Sequence, residues 1–119
     1  MVNIPVSIGE LFDKISILKI KHQHYPENSN VKKELQHLTN IANTIDQNDI
    51  IQELSQLHAV NESLWNIEDQ LRQYEKERNF GDDFVQLARS VYQYNDERST
   101  IKRRINEKSN SSIVEEKFY

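Results

Sequence analysis

IIQELSQLHAVNESLWNIEDQLRQYEKER at residues 50–78 and FVQLARSVYQYNDERSTIKRRINEK at residues 84–108 decide the fold. At about 100° per residue, Ile50, Leu57, Leu64 and Leu71 define one apolar face of the first stretch, widened by Leu54, Val60 and Ile67. Phe84, Leu87, Val91, Tyr94 and Ile105 set the matching stripe of the second. Only Asn79-Phe80-Gly81-Asp82-Asp83 lies between them. Gly81 is expected to stop the first helix, and an aspartate to cap the next. Two long helices joined by so short a break fold back on each other as an antiparallel hairpin.

Toward the N-terminus, Ser7-Ile8-Gly9-Glu10 has the Ser-x-x-Glu spacing of a capping box, so a helix is predicted over about 7–24. Ile8, Leu11, Ile15 and Leu18 form its main stripe, which His22 continues, while Phe12, Ile17 and Ile20 point elsewhere. A helix apolar on more than one side is buried twice, in a core or against a second subunit. Phe12, Ile17 and Ile20 are therefore candidate interface residues, and a homodimer is expected. Tyr25-Pro26 ends this helix. Val31, Leu35, Leu38, Ala42 and Ile45 then mark a single-faced helix over about 30–46. Pro5 fixes a short extended N-terminal arm, and Ser109 opens a C-terminal one. Phe118 and Tyr119 are apolar enough that they are expected to dock on the body or on a second chain. The fold class is all-α: a long hairpin with two shorter N-terminal helices packed on it, as one domain over residues 1–119.

Composition agrees. The 119 residues are 36% hydrophobic and 29% charged, with two glycines and two prolines, which excludes a loop-rich or β-sandwich chain. A net charge of −4 is no nucleic-acid footprint. The basic run Lys102-Arg103-Arg104, with Lys108, reads as a solvated last helical turn where cations suit the dipole, because no aromatics interleave it. Cysteine is absent, excluding thiolate chemistry and fitting a reducing compartment. Neither a signal peptide nor a membrane-length apolar run is visible, so a cytoplasmic location is expected.

Several polar residues sit on faces that should be buried. Asn61, Glu68 and Glu75 fall within about 40° of the centre of the apolar face of 50–78. Arg98 lies mid-stripe on 84–108, with Asn95 at its edge. Folding the hairpin about Phe80-Gly81 brings Arg98 between the levels of Asn61 and Glu68. A buried carboxylate facing a guanidinium is then expected, with Glu68 and Arg98 the bidentate pair. Such a cluster can simply fix helix register, or it can line a cleft for a ligand or a partner side chain. A second set, Trp65, Asp69 and Arg72 with Arg89 and Asp96, lies on the hairpin's flank. Trp65 is expected to bury against the first helix, with an interface anchor as the other reading.

No catalytic motif is present. His22 and His24 are two apart and point in different directions, and His37 and His58 lie on other helices. Glu68, Glu75, Glu77, Asp83 and Asp96 lack the paired Glu-x-x-Glu spacing of helical magnesium sites. A chorismate-mutase-like site would use Arg98, Lys102, Arg72 and Glu68, but the motif order differs. Neither a metal nor a cofactor is expected.

Several blocks together carry a resemblance. They are Ile4-Pro5-Val6-Ser7, Gly9-Glu10-Leu11, Asp13-Lys14-Ile15 and Ile17-Leu18-Lys19-Ile20-Lys21. Asn61, Leu64-Trp65, Ile67-Glu68-Asp69, Arg72 and Glu75 follow, then Leu87-Ala88-Arg89-Ser90-Val91-Tyr92, Asn95-Asp96, Arg98, Ile101-Lys102 and Ile105-Asn106, and finally Glu115-Glu116-Lys117 with Tyr119. Over nearly its whole length the chain resembles a family of small all-helical bacterial and phage proteins, a domain of unknown function. The resemblance implies a stand-alone cytoplasmic module in surroundings concerned with surface glycans. It carries over no catalytic residue. The reading is therefore a non-enzymatic binding or assembly module that self-associates and can engage another protein. The alternative is a small enzyme or ligand-binding protein that grips an anionic metabolite through the Glu/Arg/Asn cluster.

Overall fold

Both long helices form where the apolar repeat places them. The computed structural model describes residues 1–118. In it α3, Ile51–Glu77, and α4, Asp82–Lys108, pack antiparallel, each about 40 Å long at 1.5 Å per residue. The shorter α1, Ile8–His24, and α2, Ser29–Ala42, precede them. A turn of 3₁₀ helix at Asn48–Ile50 leads into α3.

α1 is the centre of the molecule. It lies against α2, α3 and α4, whereas α2 packs along α1. Leu11, Phe12 and Ile15 of α1 join Ala42, Ile50, Leu57, Val60, Ile101 and Ile105 in one buried cluster, edged by Leu35, Leu38, Ile45, Leu54, Leu64 and Tyr94. The extra apolar faces of α1 are consumed inside the single chain: Phe12 and Ile20 are buried and Ile17 half-buried. Trp65, half-buried, stacks on His24 at the end of α1, with ring centroids 4.8 Å apart. Phe12 and Ile20 are therefore spent on the core, and Ile17 and Trp65 keep part of their surface exposed.

Three helix ends differ from expectation. α2 stops at Ala42 rather than near 46 because side chains take its last carbonyls: Thr44 Oγ1 donates to Ile41 O at 2.7 Å and Gln47 Nε2 to Ala42 O at 3.0 Å. Gly81 does not end α3. Arg78 does, in the left-handed region at φ 52°, with Arg78 N donating to Glu75 O and Asn79 N to Tyr74 O. Gly81 is instead the N-cap of α4, in extended backbone. The capping box of α1 is half realised. Ser7 Oγ accepts from Glu10 N at 3.1 Å, but the Glu10 carboxylate turns away to Lys102.

Two further donors of that first turn are satisfied from the far end of the chain. Gly9 N donates to Asn106 Oδ1 at 2.7 Å and Ile8 N to Ser111 Oγ at 3.0 Å. α1 can approach α4 this closely only because residue 9 has no side chain. A Cβ there would lie 2.6 Å from Lys102 O and 2.9 Å from Asn106 Oδ1. Gly9→Ala should therefore cost about 2–3 kcal/mol in urea denaturation, and a wild-type midpoint would show that α1 and α4 are not held this tightly. Arg78→Gly should raise stability by about 1 kcal/mol by relieving the left-handed strain; a drop would mean the Arg78 side chain matters more than its backbone.

Candidate functional site

Among the described residues the most deeply buried carboxylate is Asp13, in the middle of α1, with 1% of its side chain exposed. Two other helices satisfy it. From α4, Arg98 grips it bidentately, Nε to Oδ1 at 3.0 Å and Nη2 to Oδ2. From α3, Asn61 Nδ2 donates to Oδ1 at 3.0 Å. One turn along α4, Lys102 Nζ lies 3.6 Å from Oδ2. Lys102 also donates to Glu10 Oε2 at 2.7 Å and Glu115 Oε2 at 3.2 Å, which balances the second cation. Burial alone would push the Asp13 carboxyl up. The hydrogen bonds from Arg98 and Asn61, with the charges of Arg98 and Lys102, outweigh it and hold Asp13 below the ordinary carboxylate value.

The expected Glu68–Arg98 pair is replaced by Asp13–Arg98. Glu68 is exposed, as are Arg72, Glu75 and Arg89. The reason is length. α1 is about 25 Å long against about 40 Å for α3, and its last residue, His24, reaches only Trp65. Beyond that level the hairpin is two helices wide, so Leu71, Tyr74, Phe84 and Leu87 are no more than partly covered and the flanking charges face water. Of the expected set, the structure brings together Asn61 and Arg98, both on Asp13, and Asn95, whose Oδ1 accepts from Arg98 Nη1 at 3.4 Å. Asp96 is exposed nearby.

Asp13 carried a signal in the sequence. At about 100° per residue it points within about 20° of Ile20 and about 40° of Ile17, so it shares the second apolar face of α1. Lys102 was legible only as part of a basic run. Its side chain is 12% exposed, so that run is not simply a solvated turn. Lys108 likewise serves a buried acid, donating to Glu53 at 2.7 and 3.2 Å.

From Asp13 the hydrogen bonds continue along the contact between α1 and α3 to its surface. Asn61 Nδ2 donates to Ser16 Oγ at 3.1 Å, Ser16 Oγ meets His58 Nδ1 at 3.0 Å, and His58 Nε2 meets Glu62 Oε1 at 3.0 Å. The order of groups is that of a nucleophile relay. However, Ser16 is only 6% exposed and Asn61 already donates to its oxygen, so the chain acts as a brace between α1 and α3. Among the described residues, no group of three or more His, Asp or Glu is arranged to hold a metal ion.

Outward, Arg98 and Lys102 open onto a groove of about 1190 Å³ along α4. Its walls are Ala88, Val91 and the exposed ring of Tyr92 at one end, and Arg103, Glu115 and Lys117 at the other. Asp13 takes two of the five guanidinium N–H groups of Arg98 and Asn95 a long third, leaving two without a partner among the described residues. The C-terminal arm returns along α4 to form the far wall. Phe118 lies past its ion pairs and is 92% exposed, so it does not dock on the body, and Tyr119 lies outside the described residues.

Asp13→Asn leaves Arg98 and Lys102 without their shared carboxylate and should cost about 3 kcal/mol, the usual scale for breaking a buried pair. The pH dependence has a definite sign. Because the folded carboxyl titrates below its ordinary 3.8, its contribution is complete above that value and is lost as pH falls through the lower folded one. Acid unfolding followed by circular dichroism should steepen below about pH 4 in the wild type and lose that limb in Asp13→Asn. Superimposable acid limbs would exclude Asp13 as its source.

Comparison with curated proteins and with solved structures found no match. A family model, however, matches residues 2–119. On that near-complete match, the chain belongs to the family of unknown function DUF6165.

Proposed function

We propose that the chain is a non-enzymatic binding module that recognises an anionic ligand in the groove along α4. One observation supports this above the others: Arg98 is clamped on one edge by a sealed carboxylate while its other edge faces the groove. A guanidinium held in one orientation loses little freedom on binding phosphate or carboxylate, so its donors are pre-organised. Lys102 adds a second cation at the same floor, and Tyr92 offers an exposed ring against which an apolar or cyclic portion of the ligand can lie.

The proposal includes the setting that the resemblance implies, a cytoplasmic module of bacteria or their phages working near glycan metabolism. No described helix is long and apolar enough to cross a membrane. Self-association is a second reading, and it draws on the arms: Val2, Ile4 and Phe118 are 85%, 70% and 92% exposed. Light scattering at micromolar concentration that gives only a monomer would remove it.

Thermal shift tests the main reading. Inorganic phosphate, pyrophosphate and sugar nucleotides should be screened against wild type, Tyr92→Ala and Arg98→Lys. A ligand at a hundred times its Kd should stabilise the wild type by about 2.7 kcal/mol. Tyr92→Ala and Arg98→Lys should weaken that shift, the first by removing the wall and the second by removing the fork. No shift from any of these anions at millimolar concentration would overturn the reading.

A further inference from the structure

Resting on that reading, we infer that the C-terminal arm is a tethered stand-in for the ligand, and that the groove takes a molecule carrying two neighbouring anionic groups that must displace the arm. The path of the chain is the starting point. Just past the end of α4 comes a left-handed residue, Asn110 at φ 54°, with Ser111 N donating to Asn106 O and Asn110 N to Glu107 O. This reverses the chain. Ser111 Oγ then accepts from Ile8 N and donates to Ile113 O at 2.6 Å, which aims the arm back along α4.

Two consecutive carboxylates land on two consecutive cations. Glu115 Oε2 accepts from Lys102 Nζ at 3.2 Å, and Glu116 accepts from both terminal nitrogens of Arg103 at 3.1 and 3.3 Å. Glu115 therefore sits on the same Lys102 that faces Asp13, at the groove floor. The arm is held weakly otherwise. Ile113 and Val114 are 40% and 38% exposed and Phe118 is 92% exposed, so no apolar side chain of the described arm is fully buried. Exposed ion pairs of this kind contribute about 0–1 kcal/mol each. A ligand that presents two anionic groups at once, phosphate or carboxylate, can replace both pairs and also reach the unused edge of Arg98.

The test uses the full chain, with inorganic pyrophosphate as the phosphate probe and a capped peptide of the sequence of residues 113–117 as the carboxylate probe. Binding is measured by calorimetry at constant ionic strength, since exposed pairs respond to salt alone. If the arm covers Lys102 and Arg103 at this end of the groove about nine-tenths of the time, Glu115→Gln with Glu116→Gln should tighten binding about tenfold. In the wild type, the backbone amide resonances of residues 113–117 should shift as the same probe is added. Whichever probe shows the gain identifies the anionic chemistry. Equal affinity in wild type and double variant, with unmoved arm resonances, would overturn the inference and leave the groove reading standing. Absence of binding by both probes to both proteins would overturn the groove reading itself, and the inference with it.

Discussion

A carboxylate sealed in the middle of a helix has to be met by cations and amides from somewhere, and Asp13 organises the molecule for that reason. Its partners come from α3 and α4 together: Asn61 from one, Arg98 and Lys102 from the other. Separating α1 from α4 would leave an uncompensated interior charge, which costs far more than a lost surface pair, and separating it from α3 would remove the amide that completes the hydrogen bonding of the carboxylate. The steric side of the fold serves the same contact. Gly9 lets α1 come within van der Waals range of the α4 backbone at Lys102, and that approach brings the Lys102 ammonium within reach of Asp13 and Glu10. Close crossing and charge network are thus one arrangement seen twice.

The groove is the outer edge of this arrangement. Arg98 is only partly buried, at 28% side-chain exposure, so one guanidinium edge is fixed by Asp13 and the other meets solvent. Lys102 works the same way, between the interior Asp13 and the surface Glu115. Burial tends to lower the Lys102 ammonium, but the Glu10 hydrogen bond and the charges of Asp13, Glu10 and Glu115 raise it above its ordinary value. It therefore stays charged across the physiological range. The charges that hold α1 in place are the same ones that an anion in the groove would meet. Structure and recognition share residues here, which is why a buried polar cluster can serve both.

Most of the helical architecture is written in local periodicity. The stripes of α3 and α4, the single face of α2 and the start of α1 at Ser7 all follow from residue spacing and capping chemistry. The ends were less legible because they depend on individual side chains: Gln47 and Thr44 stop α2, and Arg78 adopts the left-handed turn that glycine usually takes. The interior network was half legible. Arg98 and Asn61 stood out as polar residues on apolar stripes, and Asn95 at the edge, and all three lie at the site. Glu68 and Glu75 stood out for the same reason and lie in water.

By itself the sequence determined the helix set, the antiparallel hairpin and the presence of several apolar faces on α1, because a 3.6-residue period records which sides of a helix avoid water. Only the tertiary structure decided which polar residues on those faces are buried. Periodicity reports the direction of a side chain and not how far a third helix extends over it, and α1 covers α3 only as far as Trp65. It also decided that the extra faces of α1 meet α2, α3 and α4 within one chain, and that the acidic arm lies on Lys102 and Arg103. Contacts between residues a hundred positions apart depend on where helices cross, and no local spacing encodes that.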